Sequence, residues 1–235
     1  MKSESVFIFV LCGAERDGWI VPGLLGFLMG LRNSGPTVRR EISLELMYNV
    51  RPVDAARNAI AKKFLASECE WLCMIDNDML PHPNLLEILD RAGEHMDILV
   101  PKFYVTLNVL RGQSAPQLDV GIGWQPMNGK LEPGEWSELS LASSGTMLVR
   151  RAAFERMEKP FFRFVYDEEG RVQECEDLFF CRKAREAGLS IWGNQSIYVE
   201  HFKTLPLSLP GRSSQGLDLR GVAGRVPAIF DRKPR

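Results

Sequence analysis

The chain has 235 residues, a formal net charge of −1 and an apolar fraction of 45%, values that are typical of one globular domain. The low net charge excludes a global field that would attract nucleic acid or a membrane surface. Six Lys and Arg against two Asp nevertheless give residues 204–235 a charge of +4, which leaves −5 for the rest. No apolar stretch is long enough to span a bilayer, and the odd number of cysteines, five, favours reduced thiols in a cytoplasmic protein.

The first hundred residues alternate between strand patterns and helix patterns. Three short apolar segments predict strands, SVFIFVLCG, EWLCMID and DILVPKFY, and the loosely alternating VRREISLELMYN is a candidate for a further strand. Three segments between them predict helices: VPGLLGFLMGLRNSG, PVDAARNAIAKKFLASE and PNLLEILDRAGEH. In the second helix Val53, Ala56, Ile60 and Phe64 share one face, and Pro83 starts the third. The alternation predicts an α/β fold with a largely parallel sheet flanked by helices.

The remaining chain is less regular. Residues 105–144 are rich in Gly and Pro and predict a long loop. Trp124 and Trp136 either stack on a sugar or a base, or pin this loop to the core. SGTMLVRRAAFERM predicts a strand and then a helix. ECEDLFFCRKAREAGLSIWGNQSIYVEH predicts a helix, a C-cap at Gly188 and a strand that ends at His201.

The segment EWLCMIDNDMLPHP ends a buried strand in two carboxylates. Asp76 and Asp78 project in the same direction because side chains alternate along a strand. Ligands of open α/β sheets bind outside the carboxyl ends of the strands. Like charges this close repel, so a positive charge is expected beside them. A divalent Mg²⁺ or Mn²⁺ ion would supply that positive charge. Alternatively, the two acids have only a structural role, as helix or turn caps before PHPN.

Two other known classes of Asp-x-Asp site match this sequence less well than a divalent-metal site does. A calcium loop of the EF-hand type requires Gly at its sixth position, where this chain has Pro81. A haloacid-dehalogenase-like phosphatase uses the first Asp as a nucleophile, usually near the N-terminus, whereas this motif follows a complete strand-helix-strand-helix unit. An Asp-x-Asp phosphohydrolase and a non-catalytic sugar- or nucleotide-binding module stay open as alternatives.

Five segments occur in the order ARNAIAKKFL, WLCMIDNDMLPHP, SSGTMLVRRAAFERM, ECEDLFFCRKAREAG and VEH. In this order they resemble nucleotide-sugar glycosyltransferases of the GT-A fold, particularly the family-2-like group. The resemblance implies a Rossmann-like domain over 1–203, with a nucleotide-sugar-binding half at about 1–104 and an acceptor-binding and catalytic half at 105–203. It implies a metal-dependent, hexosyltransferase-like enzyme that moves a sugar from a nucleotide diphosphate sugar, with a UDP-sugar favoured, to an acceptor hydroxyl.

The resemblance also implies roles for individual acids. Asp76 is expected near the donor ribose and the metal, Asp78 ligates Mn²⁺ or Mg²⁺ directly, and His201 completes the metal site, although a lone histidine is more often a surface residue. Asp177 is the expected catalytic base, with Glu176 orienting the acceptor or acting in its place. Both acids open a helix, where the macrodipole favours negative charge without any chemistry.

Three further residues are candidates for donor binding. Arg57 and Asn58 lie near the start of their helix, and Arg57 either contacts the donor or pairs with Asp54 three residues earlier. Gly145 either allows close approach of the donor sugar or simply opens a strand. The opening VLCGAERDGWIVPG departs from the usual family start.

The acceptor region matches no pattern that names a substrate. No membrane-facing helix is evident, so a membrane acceptor is not expected, and soluble sugars, proteins, metabolites and hydroxymethylated DNA bases are the candidates. The basic segment 204–235 follows the predicted metal ligand and predicts a lid over a polyanion, either the donor diphosphate or DNA. A solvated terminus is the alternative.

Overall fold

The computed structural model of the chain describes residues 5–12, 20–21, 23–33, 40–111, 116–130 and 133–202. The described residues fall into two compact units, one formed by the described residues up to Phe103 together with those from Gly123 to Phe202, the other by Tyr104–Ile122. The segment 204–235, predicted to be a lid, lies outside the described residues. Of the helices in these ranges, none combines the length and the apolar character needed to cross a bilayer.

The helices and strands follow one another closely along the chain. The helices are α1 (Leu24–Asn33), α2 (Val53–Leu65), α3 (Glu87–Asp90), α4 (Arg151–Arg156) and α5 (Glu176–Glu186). The strands are β1 (Val6–Cys12), β2 (Ile42–Tyr48), β3 (Trp71–Asp76), β4 (Met79–Pro81), β5 (Ile98–Lys102), β6 (Tyr104–Arg111), β7 (Pro116–Ile122), β8 (Trp124–Pro126), β9 (Trp136–Ala142), β10 (Thr146–Arg150), β11 (Val165–Tyr166), β12 (Val172–Glu174) and β13 (Ile191–His201).

A nine-stranded sheet dominates the first unit. Its order is β2-β1-β3-β10-β5-β13-β9-β8, and β4 pairs with β13. Strand β1 pairs in parallel with β2 and β3, and β5 pairs in parallel with β13. Strand β10 enters between β3 and β5 in the opposite direction. Within the described residues six of the nine strands run in one direction, which confirms the predicted, largely parallel α/β sheet.

Strand β3 carries the acid pair to the rim of the sheet. Residues 71–75 are buried and Asp76 is half-buried, and β1 and β10 pair with the two edges of the strand. The strand continues its hydrogen bonding up to the acids: the Asp76 amide donates to the Gly145 carbonyl at 2.8 Å, and the Asn77 amide donates to the Leu11 carbonyl at 3.0 Å. The backbone that presents the acids is therefore fixed on both sides.

An aromatic cluster packs α5 against α2 and α4. Phe180 of α5 stacks on Phe162 with ring centroids 4.5 Å apart. Phe154 of α4 contacts Phe64 of α2 at 5.8 Å and Phe180 at 6.0 Å. All four rings are buried, and such pairs add to the stability gained from burial alone. The cluster fixes α5 relative to α2, the two helices that supply residues of the candidate site.

The loop predicted over 105–144 is wrong, because β6, β7, β8 and β9 lie there. Strand β9 escapes a search for apolar alternation, since the polar Ser137 precedes Leu139 on its buried face and the pattern does not continue at residue 141. Trp124 is 8% exposed and lies on Gly193, where a Cβ atom would meet the indole ring at 1.2 Å. Trp124 therefore packs β8 onto β13, in the anchoring role that was the alternative for this residue.

The helix predicted over 83–95 is also too long. Only Glu87–Asp90 is helical, and the preceding residues form tight turns such as the bond from the Leu85 amide to the His82 carbonyl at 2.9 Å. The apolar residues of the predicted segment are buried all the same. Their spacing reflects contact with the core and resembles that of a helix, although most of the segment is not helical. Helix α5 ends as predicted, because Gly188 adopts a φ of +70°, which glycine reaches without strain.

Candidate active site

The acid pair lies at the rim of the sheet with both side chains partly exposed. The exposed fraction is 28% for Asp76 and 27% for Asp78. Burial raises the pKa of Asp76, Arg57 lowers it, and the nearby charge of Asp78 raises it again, with a net upward direction. The two carboxylates are thus close enough to repel each other, as the sequence predicted.

Arg57 of α2 supplies a positive charge beside the pair. Its Nη2 atom lies 3.2 Å from both carboxylate oxygens of Asp76. Its Nε atom lies 3.4 Å from Oε1 of Glu176, and Nη1 donates to the Ser144 carbonyl at 3.3 Å. The alternative that Arg57 pairs with Asp54 is therefore wrong. Sequence reasoning also missed Ser144, whose backbone carbonyl carries no signal in its residue type.

Asp78 and His201 meet through the ladder between β4 and β13. His201 lies opposite Met79 in this ladder, and the Phe202 amide donates to the Asp78 carbonyl at 2.8 Å. The Nε2 atom of His201 lies 3.2 Å from Oδ2 of Asp78, and the His201 side chain is 11% exposed. His201 is therefore not the exposed surface histidine of the alternative interpretation.

Glu176 and Asp177 form the first turn of α5 opposite the acid pair. Glu176 is 8% exposed and reaches Arg57. Burial raises the pKa of Glu176 and Arg57 lowers it, with a net upward direction. Asp177 accepts hydrogen bonds from the Cys175 thiol at 2.7 Å and from the Leu178 amide at 2.9 Å. Glu176 is thus tied into the site, and the macrodipole alone does not account for its position.

Asn58 and Gly145 make contacts within the protein. The Asn58 amide nitrogen donates to the Phe162 carbonyl at 2.7 Å, and its oxygen accepts from the Phe161 amide at 2.9 Å. Gly145 lies against the acid pair, where a Cβ atom would come 3.7 Å from Oδ2 of Asp76 and 2.3 Å from the Met79 methyl. The predicted donor contacts of Asn58 and Gly145 remain predictions.

The balance of charge in the site favours a divalent cation. In the described part of the site the carboxylates of Asp76, Glu176 and Asp177 act on one guanidinium, that of Arg57. A fourth carboxylate, that of Asp78, lies near Asp76. Carboxylate oxygen and imidazole nitrogen suit Mn²⁺, and Mg²⁺ is usually held by one or two carboxylates together with substrate phosphates. Asp78 and His201, in contact and partly exposed, fit such an ion.

A second group of ligand atoms is more compact but suits these ions less. Among the described residues, the ligand atoms of Cys175, Glu176 and Asp177 all lie within 4.8 Å of one another. Burial and the neighbouring Asp177 raise the pKa of Cys175 to about 11, so its thiol keeps the proton that a metal would have to displace. The three predicted metal residues do not form so compact a group, and their role remains a prediction.

A cavity of about 520 Å³ lies between α1, β4 and β13 and was not predicted. Its lining includes Gly26 and Gly30 of α1, Leu80 of β4 and Tyr198 of β13. A Cβ atom added at either glycine would meet nothing within 4 Å. The glycines that weaken the helical pattern of α1 therefore keep this space open. Their presence within a helix was the feature of the sequence that could have indicated the cavity.

No model of a known protein family matches the chain, and no curated protein matches it in sequence. Among solved structures it is similar to A197 from STIV, at 16% identity and a TM-score of 0.56 over 86% of both chains. This likeness shows a shared fold and, with the sheet described above, confirms the predicted fold class.

Two further similar structures are glycosyltransferases of the GT-A fold. One is GalNAc-T7 with UDP, GalNAc and Mn²⁺, at 14% identity, a TM-score of 0.49, and coverage of 98% of this chain and 46% of that chain. The other is residues 1–349 of S. aureus TarS in complex with UDP-GlcNAc, at 15% identity, a TM-score of 0.48, and coverage of 89% and 61%. The chain spans less than two thirds of the length of either structure.

Proposed function

We propose that the protein is a metal-dependent glycosyltransferase that moves a sugar from a nucleotide diphosphate sugar to an acceptor hydroxyl. The observation that carries this proposal is the pairing of Asp78 with His201 beside Asp76, opposite a second acidic pair at the start of α5. The order of the five sequence segments supports a UDP-sugar as the donor to test first.

Asp78 and His201 hold the ion in this proposal, with Asp76 beside them. A bound Mn²⁺ or Mg²⁺ ion supplies Lewis-acid stabilisation to the leaving diphosphate. The two protein ligands lie on neighbouring backbone segments joined by the ladder of β4 and β13, so they are positioned before the donor arrives. Such preorganisation lowers the energy of the transition state because little rearrangement is needed during the reaction.

Asp177 serves as the base. The bond between the anomeric carbon and the diphosphate oxygen breaks, and the diphosphate leaves with the electron pair. The acceptor oxygen forms the new bond to the anomeric carbon, and its proton passes to the Asp177 carboxylate. Glu176 is held by Arg57 and is the less available of the two acids.

The contacts of Asp76 lend less support to an Asp-x-Asp phosphohydrolase. In that reaction the first aspartate attacks phosphorus as a nucleophile. Here both oxygens of Asp76 lie 3.2 Å from Nη2 of Arg57, so both are already engaged by a buried partner and neither is left free to attack phosphorus.

A thermal-shift panel of nucleotide sugars, each with and without Mn²⁺, tests the proposal. A ligand that binds only the folded protein raises the unfolding temperature, so a UDP-sugar is expected to do so only when Mn²⁺ is present. Turnover is then measured with soluble sugars and with DNA that contains hydroxymethylated bases as acceptors. No response to any nucleotide sugar, or release of inorganic phosphate without an acceptor, contradicts the proposal.

A further inference from the structure

Arg57 is buried at the junction of three separate segments. Its side chain is 4% exposed although it belongs to α2, and its guanidinium contacts the end of β3, the start of α5 and the residue before Gly145. A cation near the N-terminus of a helix is disfavoured by the macrodipole, and a buried charge is costly without partners. The two carboxylates offset both effects.

All three nitrogen atoms of Arg57 are engaged. Nη2 is shared by the two oxygens of Asp76, Nε faces Glu176, and Nη1 donates to the Ser144 carbonyl. A guanidinium that binds a diphosphate presents a free edge to it. The near-complete burial of Arg57 and its three partners leave no such edge for a donor.

The partners of Arg57 have functional neighbours. Asp76 precedes the proposed metal ligand Asp78 by two residues, and Glu176 precedes the proposed base Asp177 directly. One rigid group therefore fixes the distance between the strand that carries the metal ligand and the helix that carries the base. Partners of this kind around metal sites commonly change metal affinity when they are removed, because the ligands lose their orientation.

We propose that Arg57 is a positioning residue that fixes the carboxylates of Asp76 and Glu176 relative to each other and does not touch the donor. The proposal rests on the proposed function, and it replaces the donor contact that the sequence predicted for Arg57. Arg57 acts through the two acids, so its removal changes the reaction while donor binding is retained.

Arg57→Met, Arg57→Lys and Arg151→Met in the full chain test this assignment. Arg151 is a matched control because it also makes several hydrogen bonds, to the carbonyl of Phe64 in the last turn of α2 and to that of Ser67 beyond it. The measurements are the unfolding temperature without metal, the Mn²⁺ affinity by calorimetry, and kcat and KM for hydrolysis of the UDP-sugar that the thermal-shift panel identifies.

Arg57→Met is expected to lower kcat by about 100-fold, since small displacements of reacting groups have effects of this size, while the donor KM stays within about threefold. Its Mn²⁺ affinity is expected to fall by about tenfold. Removal of a positive charge alone would strengthen Mn²⁺ binding, so the sign separates positioning from simple electrostatics. Arg57→Lys keeps the positive charge but loses the planar guanidinium that contacts both acids. Its kcat and Mn²⁺ affinity are expected to lie between those of the wild type and Arg57→Met.

Arg151→Met is expected to lower the unfolding temperature while kcat and Mn²⁺ affinity stay within about threefold, as for a distant, independent site. A rise in donor KM at unchanged kcat in Arg57→Met would identify a donor contact and overturn the proposal. Tighter or unchanged Mn²⁺ binding, or values that match Arg151→Met throughout, would also overturn it. If Arg57→Met does not fold, Arg57→Lys provides the same readouts.

Failure of the proposed function can be distinguished from failure of the Arg57 proposal. The proposed function fails if the wild-type protein binds no Mn²⁺ and hydrolyses no nucleotide sugar. In that case a double-mutant cycle between Arg57→Lys and Glu176→Gln, read by unfolding without metal, decides the positioning. Non-additive changes in the free energy of unfolding support it, and additive changes overturn it.

Discussion

Arg57 and Arg182 each pair with two carboxylates, but Arg57 does so in the interior and Arg182 at the surface. Arg57 reaches Asp76 and Glu176 with a side chain that is 4% exposed. Arg182 reaches Glu174 and Glu186 with a side chain that is 44% exposed. The surface contacts are the shorter ones, at 3.0 Å against 3.2 and 3.4 Å.

Burial, and not distance, decides what these two clusters do. Exposed ion pairs contribute about 0–1 kcal/mol because water and salt screen them and their side chains lose entropy. Loss of one partner from a buried pair costs about 3–5 kcal/mol because a charge is left without compensation. We therefore expect the interior cluster to set the geometry of the site and the surface cluster to be dispensable.

The largest expected effect comes from Asp177→Asn in the interior region. The amide keeps the shape of the side chain but cannot accept the acceptor proton, so the transfer rate should fall by about 10²–10⁴ with donor affinity nearly unchanged. Steady-state kinetics and calorimetry with the donor check this. Glu174→Gln in the surface cluster is the control. If Glu176→Gln shows this loss and Asp177→Asn does not, the roles of the two acids are exchanged.

Asp78→Ala should have the next largest effect, because the ion loses a direct ligand. Turnover is expected to fall by about 100-fold or more, and the Mn²⁺-dependent part of donor binding should disappear. Donor titrations with and without Mn²⁺ measure this part. Glu186→Ala removes a surface carboxylate of the Arg182 cluster and should change neither quantity. Activity of Asp78→Ala within about threefold of wild type is incompatible with direct ligation.

The difference between the two arginines can be measured directly by urea unfolding. Arg57→Met should lower the free energy of unfolding by about 3–5 kcal/mol, because Asp76 and Glu176 lose their counter-charge. Arg182→Met should lower it by about 0–1 kcal/mol. Equal losses in the two variants would mean that burial does not distinguish the clusters.

The smallest effect concerns pH. Burial raises the pKa of Glu176 above the ordinary 4.5 of a glutamate, so the folded protein holds this proton to higher pH than the unfolded chain does. The free energy of unfolding should therefore decrease as pH rises from 4.5 through the raised pKa. Glu176→Gln should reduce this slope. Urea unfolding between pH 4 and 7 measures it, and identical slopes in wild type and Glu176→Gln would contradict the raised pKa.

The sequence predicted those features that depend on local pattern. The continuous apolar run of β3 and the acids that follow it predicted a strand ending at the rim of the sheet, and the glycine after α5 predicted the end of that helix. The position of β13 brings His201 to Asp78, and the metal role that the resemblance implied for the two residues stays a prediction.

Tertiary contacts explain what the sequence did not predict. Arg57 and Glu176 are 119 residues apart, and their meeting depends on the packing of α5 against α2, which no local pattern encodes. From the sequence alone, a charged residue such as Arg57 is expected on the exposed side of α2, although it lies on the buried side. Strand β9 was missed for a related reason, since the buried Ser137 gives its inner face a polar character that only the neighbouring strands explain.

The most direct test of the proposed function is the release of UDP from UDP-sugars by the wild-type protein, with Mn²⁺ and with EDTA, where water serves as the acceptor. We predict slow UDP release that requires Mn²⁺ and is lost in Asp78→Ala. It should increase when a suitable acceptor hydroxyl is supplied. UDP release that is equally fast in EDTA, or a product that is inorganic phosphate instead of UDP, would contradict metal-dependent glycosyl transfer at this site.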